Sequence, residues 1–113
     1  MRKLVIATTA LMLLSSSASS QYYNYSDWDR MSEAYRVVYL AGAFDALVTY
    51  VTNEDGAKAA SHYKKCVMDD RMTAIQLSRN VHAYVKAHPK LKGEKVQGGL
   101  LEYLQELCGL PPQ

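Results

Sequence analysis

The chain has 113 residues, with 13 lysines and arginines against 11 aspartates and glutamates, a length that suits one domain. Arg2 and Lys3 precede an apolar run from Leu4 to Leu14, and small residues follow up to Ser20. This order is typical of a secretory signal peptide. Its removal leaves 11 basic residues (13 minus 2) against 11 acidic ones, so charge gives no reason to expect nucleic acid or an anionic membrane as partner.

We therefore assign residues 1–20 to a cleavable signal peptide and residues 21–113 to a single mature domain. Cleavage is expected after Ser20, with the bond after Ala18 as the alternative. The apolar run is shorter than the roughly 20 residues that a membrane-spanning helix needs. An uncleaved anchor is the competing interpretation, but we expect no membrane attachment once the signal is removed.

Cys66 and Cys108 are the only cysteines, so one pairing is available to them. In an oxidising compartment such a pair indicates a disulfide, whereas two buried free thiols are the alternative. The spacing matches no zinc-binding motif, and we predict no metal site.

The first predicted helix begins at Ser26 or Asp27 and runs to about Val51, because apolar residues recur there at spacings of three and four. They form two neighbouring stripes: Trp28, Met31, Tyr35 and Val38, then Leu40, Phe44, Leu47 and Val51. Tyr39, Gly42 and Asp45 lie in the middle. Because Gly42 is flanked by alanines, we expect another helix to approach closely at this point.

The polar stretch Asn53, Glu54, Asp55 and Gly56 is typical of a turn. A short helix is predicted from Ala57 to Lys65, followed by a connection from Val67 to Arg71.

Thr73 and Gln76 fit a capping box at the start of the next helix, which Pro89 ends. Its apolar stripe comprises Leu77, Val81, Tyr84 and Val85. The last helix is predicted from Lys92 or Glu94 to Cys108, with Gly109 as its cap.

The predicted fold is therefore all-α, a small bundle of three long helices plus a short one, closed by one disulfide. The pair Gly98-Gly99 in the last helix weakens it but allows close packing.

Nothing in the sequence favours an enzyme. The three histidines, His62, His82 and His88, lack the spacing of a helical metal pair, and no nucleophile elbow or phosphate-binding loop is present. Two acidic pairs, Asp29 with Glu33 and Asp69 with Asp70, fit solvated surface charge better than acid–base catalysis. We predict no catalytic residues and no cofactor.

Several motifs occur in a particular order along the chain. They are Tyr39-Leu40-Ala41-Gly42-x-x-Asp45-Ala46, Cys66, Thr73-x-x-Gln76-Leu77, Val81-x-x-Tyr84-Val85-x-x-His88-Pro89, Leu100-x-x-x-Leu104 and Cys108. This order resembles the Rap/Tai family of periplasmic immunity proteins, which protect bacteria from type VI secretion amidases. Two features depart from the family pattern. Val37 and Val38 stand where many members have a further cysteine, and no proline follows Cys66 closely.

The resemblance implies a periplasmic, all-helical inhibitor that forms a homodimer and plugs the cleft of a peptidoglycan amidase effector with a loop. Such blocking is steric and needs no catalytic residue. The candidate contact loops are Asn53-Glu54-Asp55-Gly56 and the segment from His88, Pro89 and Lys90 to Gly93. Two alternatives are an acid-stress chaperone similar to HdeA and a non-catalytic envelope-binding module.

Overall fold

A computed structural model describes residues 23–113, and the predicted signal peptide and its cleavage sites lie outside this range. The described part is helical and contains no strand, as the sequence predicts. Five α-helices are present there, α1 (Tyr25–Asp29), α2 (Glu33–Thr49), α3 (Glu54–Asp69), α4 (Ala74–Ala87) and α5 (Val96–Cys108), with a 3-10 turn at Pro89–Leu91. Four of them are long and one is short, so the expected helix count fits only loosely.

The first predicted helix is two helices, because the chain breaks between α1 and α2. Ser32 adopts an extended conformation and its hydroxyl accepts a hydrogen bond from the backbone N–H of Tyr35 at 3.3 Å. It therefore caps a new helix. The break lets Trp28 enter the core with no exposed surface, and its indole N–H donates to the carbonyl of Arg36 at 3.1 Å.

The predicted turn at Asn53–Gly56 is wrong, since these residues begin α3. The side chain of Asn53 accepts from the N–H of Gly56 at 2.7 Å, and acidic side chains in a first helical turn are stabilised by the helix dipole. The helix also extends through Val67, where a connection was predicted. Val67 is buried, so core packing keeps the chain helical there.

The capping box is confirmed, with Thr73 and Gln76 bonded reciprocally at the start of α4. The helix ends at Ala87, before Pro89. The last helix begins at Val96, later than predicted, because Pro89–Leu91 forms its own turn with Leu91 buried beneath it. Gly109, at φ 77°, ends α5 as predicted.

All five helices and the 3-10 turn contribute to one core. Its buried members are Tyr25, Trp28, Leu40, Ala43, Tyr63, Val67, Leu77, Val81, Val85, Leu91, Val96, Leu100 and Leu104. The disulfide between Cys66 and Cys108 joins α3 to α5, as predicted. Within residues 23–113, no helix combines the length and apolarity needed to cross a membrane.

Candidate functional site

The connection from α4 to α5 concentrates positive charge on an ordered backbone. We call residues 86–95 the lysine loop. It contains four exposed lysines, Lys86, Lys90, Lys92 and Lys95, and a single acidic residue, Glu94. Residues 23–113 contain 11 basic and 11 acidic residues, so the remainder of this range carries a net negative charge and this end of the bundle is electrically distinct.

The backbone of the lysine loop is held by its own hydrogen bonds. The N–H of Leu91 donates to the carbonyl of His88 at 2.9 Å, and the N–H of Glu94 donates to the carbonyl of Leu91 at 3.1 Å. Pro89 fixes the backbone at the start of the 3-10 turn. The Leu91 side chain, only 5% exposed, anchors the turn in the core.

The N-terminal residues hold the same loop from the other side. The N–H of Tyr25 donates to the carbonyl of Glu94 at 2.9 Å, and the N–H of Val96 donates to the carbonyl of Tyr23 at 3.1 Å. Ser26 donates its hydroxyl to the carbonyl of Lys92 at 3.2 Å. The first described residues thus contact the loop at the carbonyls of Lys92 and Glu94, and they contact Val96, the residue that directly follows it.

His88 is positioned by α4. Its ring stacks on Tyr84 with centroids 4.0 Å apart, and its Nδ1 lies 2.7 Å from the carbonyl oxygen of Tyr84. A carbonyl oxygen only accepts, so Nδ1 carries the proton in this contact. Burial, and then the hydrogen bond and charge of Glu106, raise the pKa of the Tyr84 hydroxyl. Tyr84 therefore stays neutral beneath the exposed imidazole.

Three lysines of the loop have no internal partner. Among residues 23–113, the ammonium groups of Lys86, Lys90 and Lys92 form no hydrogen bond or ion pair. Their charges are therefore available to an acidic surface, and a rigid backbone presents them at fixed positions. Predicted site residues His88, Pro89 and Lys90 all belong to this loop.

The other predicted contact segment has a different character. Asn53, Glu54, Asp55 and Gly56 form the capped first turn of a helix. Asp55 lines a shallow groove of about 450 Å³ with the C-terminal residues 110–113. The two candidate segments thus have different neighbours: the C-terminal tail in one case and the N-terminal residues in the other.

The residues predicted to pack another helix, Tyr39, Gly42 and Asp45, lie on α2, and Tyr39 is the one of the three that packs against the core. Tyr39 packs on Tyr23 with ring centroids 5.1 Å apart, and its hydroxyl accepts from the N–H of Tyr23 at 3.2 Å. Gly42 and Asp45 are exposed, and a methyl group added at Gly42 would meet no atom within 4 Å. The expected close approach of another helix at Gly42 is therefore wrong for the described chain. Close approach occurs at Gly99 instead, where a methyl group would lie 2.9 Å from Val85.

Two acidic residues attach α1 and the start of α2 to α4, which the sequence did not predict. The Asp29 carboxylate lies 2.5 Å from Nε2 of His82, and Glu33 accepts from Nε of Arg79 at 2.6 Å. The hydrogen bond and charge of Arg79 lower the pKa of Glu33. The partners are 53 and 46 residues apart, so no local spacing could reveal them.

His82 also lies against the buried aromatic residues of α1. Its ring centroid is 5.8 Å from that of Tyr25 and 5.7 Å from that of Trp28. The Tyr25 hydroxyl donates to the backbone carbonyl of the same histidine at 3.1 Å. Since its ring contacts two aromatic rings and a carboxylate of α1, His82 attaches α1 to α4.

In residues 23–113, no group of three or more histidine, cysteine or carboxylate side chains is placed to hold a metal ion. The described residues form a helical bundle with one disulfide and a lysine-rich connection between α4 and α5. No family model matches the chain, and no curated protein or solved structure matches it either.

Proposed function

We propose that this chain is an exported immunity protein that binds a peptidoglycan amidase toxin in the periplasm and sterically blocks its cleft. The observation that carries the proposal is the lysine loop, a braced backbone with three unpartnered lysines. The order of motifs from Tyr39 to Cys108, which resembles the Rap/Tai family, indicates the class of toxin.

Rigidity is the property that a steric plug needs. Ordering a flexible loop during binding costs free energy, and a loop that already has its bound shape avoids that cost. The contacts of Leu91, Tyr25 and Ser26 hold the lysine loop before any partner arrives. Only the lysine side chains remain to be ordered. Their charge would steer the protein towards an acidic surface and increase the rate of association.

The proposal includes the compartment. Removal of residues 1–20 would release the protein into the periplasm, where the Cys66–Cys108 disulfide would persist. Blocking an active site requires no catalysis by the inhibitor, so we propose no enzymatic activity and no cofactor.

The test is capture of a cell-wall amidase from the periplasm of the same organism by the oxidised chain. A variant with Lys90→Glu and Lys92→Glu reverses two charges of the loop. A matched control with Lys64→Glu and Arg71→Glu makes the same change of net charge at exposed positions towards the other end of α3 from Asn53–Gly56. We expect the loop variant to bind at least about tenfold more weakly, since charge pairs at an interface are worth a kcal/mol or more.

Equal loss of binding in both variants would show that net charge, and not the loop, is responsible. Failure to capture any amidase, together with capture of aggregating proteins only at low pH, would instead establish the acid-stress chaperone alternative. Binding to isolated cell envelope without any amidase would favour an envelope-binding module.

A further inference from the structure

An open groove lies between α2 and α5, and we call it the α2–α5 groove. It has a volume of about 410 Å³, and most of its lining is apolar. The volume lies within the roughly 300–1,000 Å³ of sites that enclose a bound group. Tyr50 lines the groove and is 83% exposed. The walls include Ala43, Ala46 and Leu47 on α2 and Gly98, Leu100 and Leu101 on α5.

The first described residue, Tyr23, adjoins this groove on both helices. Its ring centroid is 5.1 Å from that of Tyr39, which lies one helical turn before Ala43. Its carbonyl accepts from the N–H of Val96 at 3.1 Å, and the next residue, Gln97, lines the groove. The described chain therefore begins beside the α2–α5 groove.

Backbone pairing sets the direction of the residues that precede Tyr23. Asn24 forms an antiparallel bridge with Lys95, and Tyr23 is bonded to Val96. In antiparallel pairing the residue number falls on one side as it rises on the other. The residues before Tyr23 are therefore directed towards residues 97 and 98, which both line the groove.

We propose that the start of the mature chain occupies this groove, with the ring of Tyr22 between Leu47 and Leu101. Consecutive Cα atoms are about 3.8 Å apart, so the Tyr22 side chain reaches the groove from Tyr23 without a linker. Gln21 carries the α-amino charge that cleavage after Ser20 creates, and an unpaired charge is costly to bury. The tyrosine ring is therefore the group that suits an apolar groove, while the amino group stays in water.

The groove offers a tyrosine both apolar walls and polar partners. A buried tyrosine usually places its hydroxyl where it can form a hydrogen bond, and the side chains of Gln97 and Tyr50 provide such groups. Gly98 leaves room for the ring, although glycine destabilises a helix interior relative to alanine. Among residues 23–113, a methyl group added at Gly98 would approach only the carboxylate of Glu94, at 3.4 Å. The ring would use a space that the described chain leaves open.

A seated Tyr22 would anchor the segment that contacts the lysine loop. Tyr25 and Ser26 donate to the carbonyls of Glu94 and Lys92. Terminal residues are well ordered only where contacts tie them down, and the groove would supply that contact at the start of the segment. The inference does not depend on the proposed function, because it concerns only contacts within the chain.

Nuclear Overhauser effects in the oxidised chain without residues 1–20 test the seating. We expect cross-peaks between the ring protons of Tyr22 and the methyl groups of Leu47 and Leu101. Gly98→Leu fills the groove and should remove these cross-peaks. Ala83→Leu, at an exposed position on α4, is the matched control and should preserve them. The fold should tolerate both changes, since leucine is a good helix former and neither position is buried.

Amide hydrogen exchange tests the consequence with another variant. Tyr22→Ala should increase the exchange rate of the Val96 N–H, which is bonded to the Tyr23 carbonyl, at least about tenfold. A tenfold change corresponds to about 1.4 kcal/mol, close to the lower limit for burying a large apolar side chain. Tyr35→Ala removes the same side chain from a position on α2 that is 71% exposed, and it should leave the exchange of Val96 unchanged.

Absence of cross-peaks from Tyr22 to the groove in the wild type would overturn the proposal. So would unchanged exchange of Val96 in Tyr22→Ala, or an equal increase in Tyr35→Ala. Concentration-dependent shifts of the groove methyl signals, without contacts from Tyr22, would assign the groove to a second copy of the chain instead. Neither experiment uses an amidase, so failure here is distinguishable from failure of the proposed function.

Discussion

Two glycines inside helices should respond oppositely to the same substitution. Gly99 of α5 is buried, and a methyl group there would lie 2.9 Å from Cγ2 of Val85, a side chain that is 1% exposed. Carbon atoms in contact prefer about 3.5–4.0 Å. Forcing a methyl group into such a packed site costs about 1–3 kcal/mol. The better helix propensity of alanine offsets about 1 kcal/mol of this, so Gly99→Ala should lower stability by about 0–2 kcal/mol.

Gly42 provides the matched comparison. It also lies within a helix, but nothing stands within 4 Å of the added methyl group. Gly42→Ala should therefore raise the free energy of unfolding by about 0.5–1 kcal/mol. Because the helix propensity gain is common to both variants, their difference isolates the cost of the clash at Gly99, about 1–3 kcal/mol.

Urea unfolding of dilute protein, followed by tryptophan fluorescence, measures both effects. Trp28 is the only tryptophan and is fully buried, so its emission reports loss of the core. The two variants should shift the midpoint in opposite directions with little change in the slope, since neither alters the surface exposed on unfolding.

A double-mutant cycle tests the cause. Val85→Ala removes the atom that the new methyl group would strike, so Gly99→Ala should no longer be destabilising in that background. The reasoning is refuted if Gly99→Ala stabilises the wild type as much as Gly42→Ala does. It is also refuted if the cost at Gly99 persists without the valine methyl groups.

Three further perturbations have defined outcomes. Replacing Cys66 and Cys108 by alanine should lower stability by about 4 kcal/mol, since the disulfide closes a 42-residue span, and urea unfolding of oxidised wild type and variant gives the difference. Arg79→Gln should raise the pKa of Glu33 towards its ordinary value in an NMR titration. In the wild type, the pair stabilises the fold at pH values above the ordinary pKa of a glutamate. This stabilisation is lost as the pH falls through the lowered pKa of Glu33. Burial raises the pKa of Tyr25, so stability should fall as pH rises above about 10, and Tyr25→Phe should reduce that fall; an unchanged pH profile would contradict the argument.

Local signals predicted α4 well because its boundaries are set by residues close together in sequence. Thr73 and Gln76 satisfy each other's backbone groups, and Pro89 ends the helix by its own geometry. The disulfide was also predictable, since two cysteines allow one pairing. These features need no knowledge of the tertiary structure.

The errors occurred where a polar residue has two roles. Ser32 lies within an apolar periodicity that suggested one long helix, yet it caps α2. Asn53 resembles a turn residue, and here it caps α3 by accepting from Gly56. Asparagine and serine favour both turns and helix starts, so composition alone does not separate the two.

The candidate site was predictable in part. The sequence placed an exposed connection after His88, and the structure gives that connection a braced backbone. The bracing depends on Tyr25, Ser26 and the buried side chain of Leu91. Contacts between residues so far apart in the chain follow from the fold and leave no local pattern in the sequence.

Inhibition of an amidase tests the central claim most directly. The rate of peptidoglycan hydrolysis by a periplasmic amidase toxin from the same organism would be measured as the oxidised, signal-free chain is added. Hydrolysis is expected to stop near one subunit per amidase, and reversing the charges of Lys90 and Lys92 should restore it. Full hydrolysis in the presence of excess wild-type chain would contradict the account.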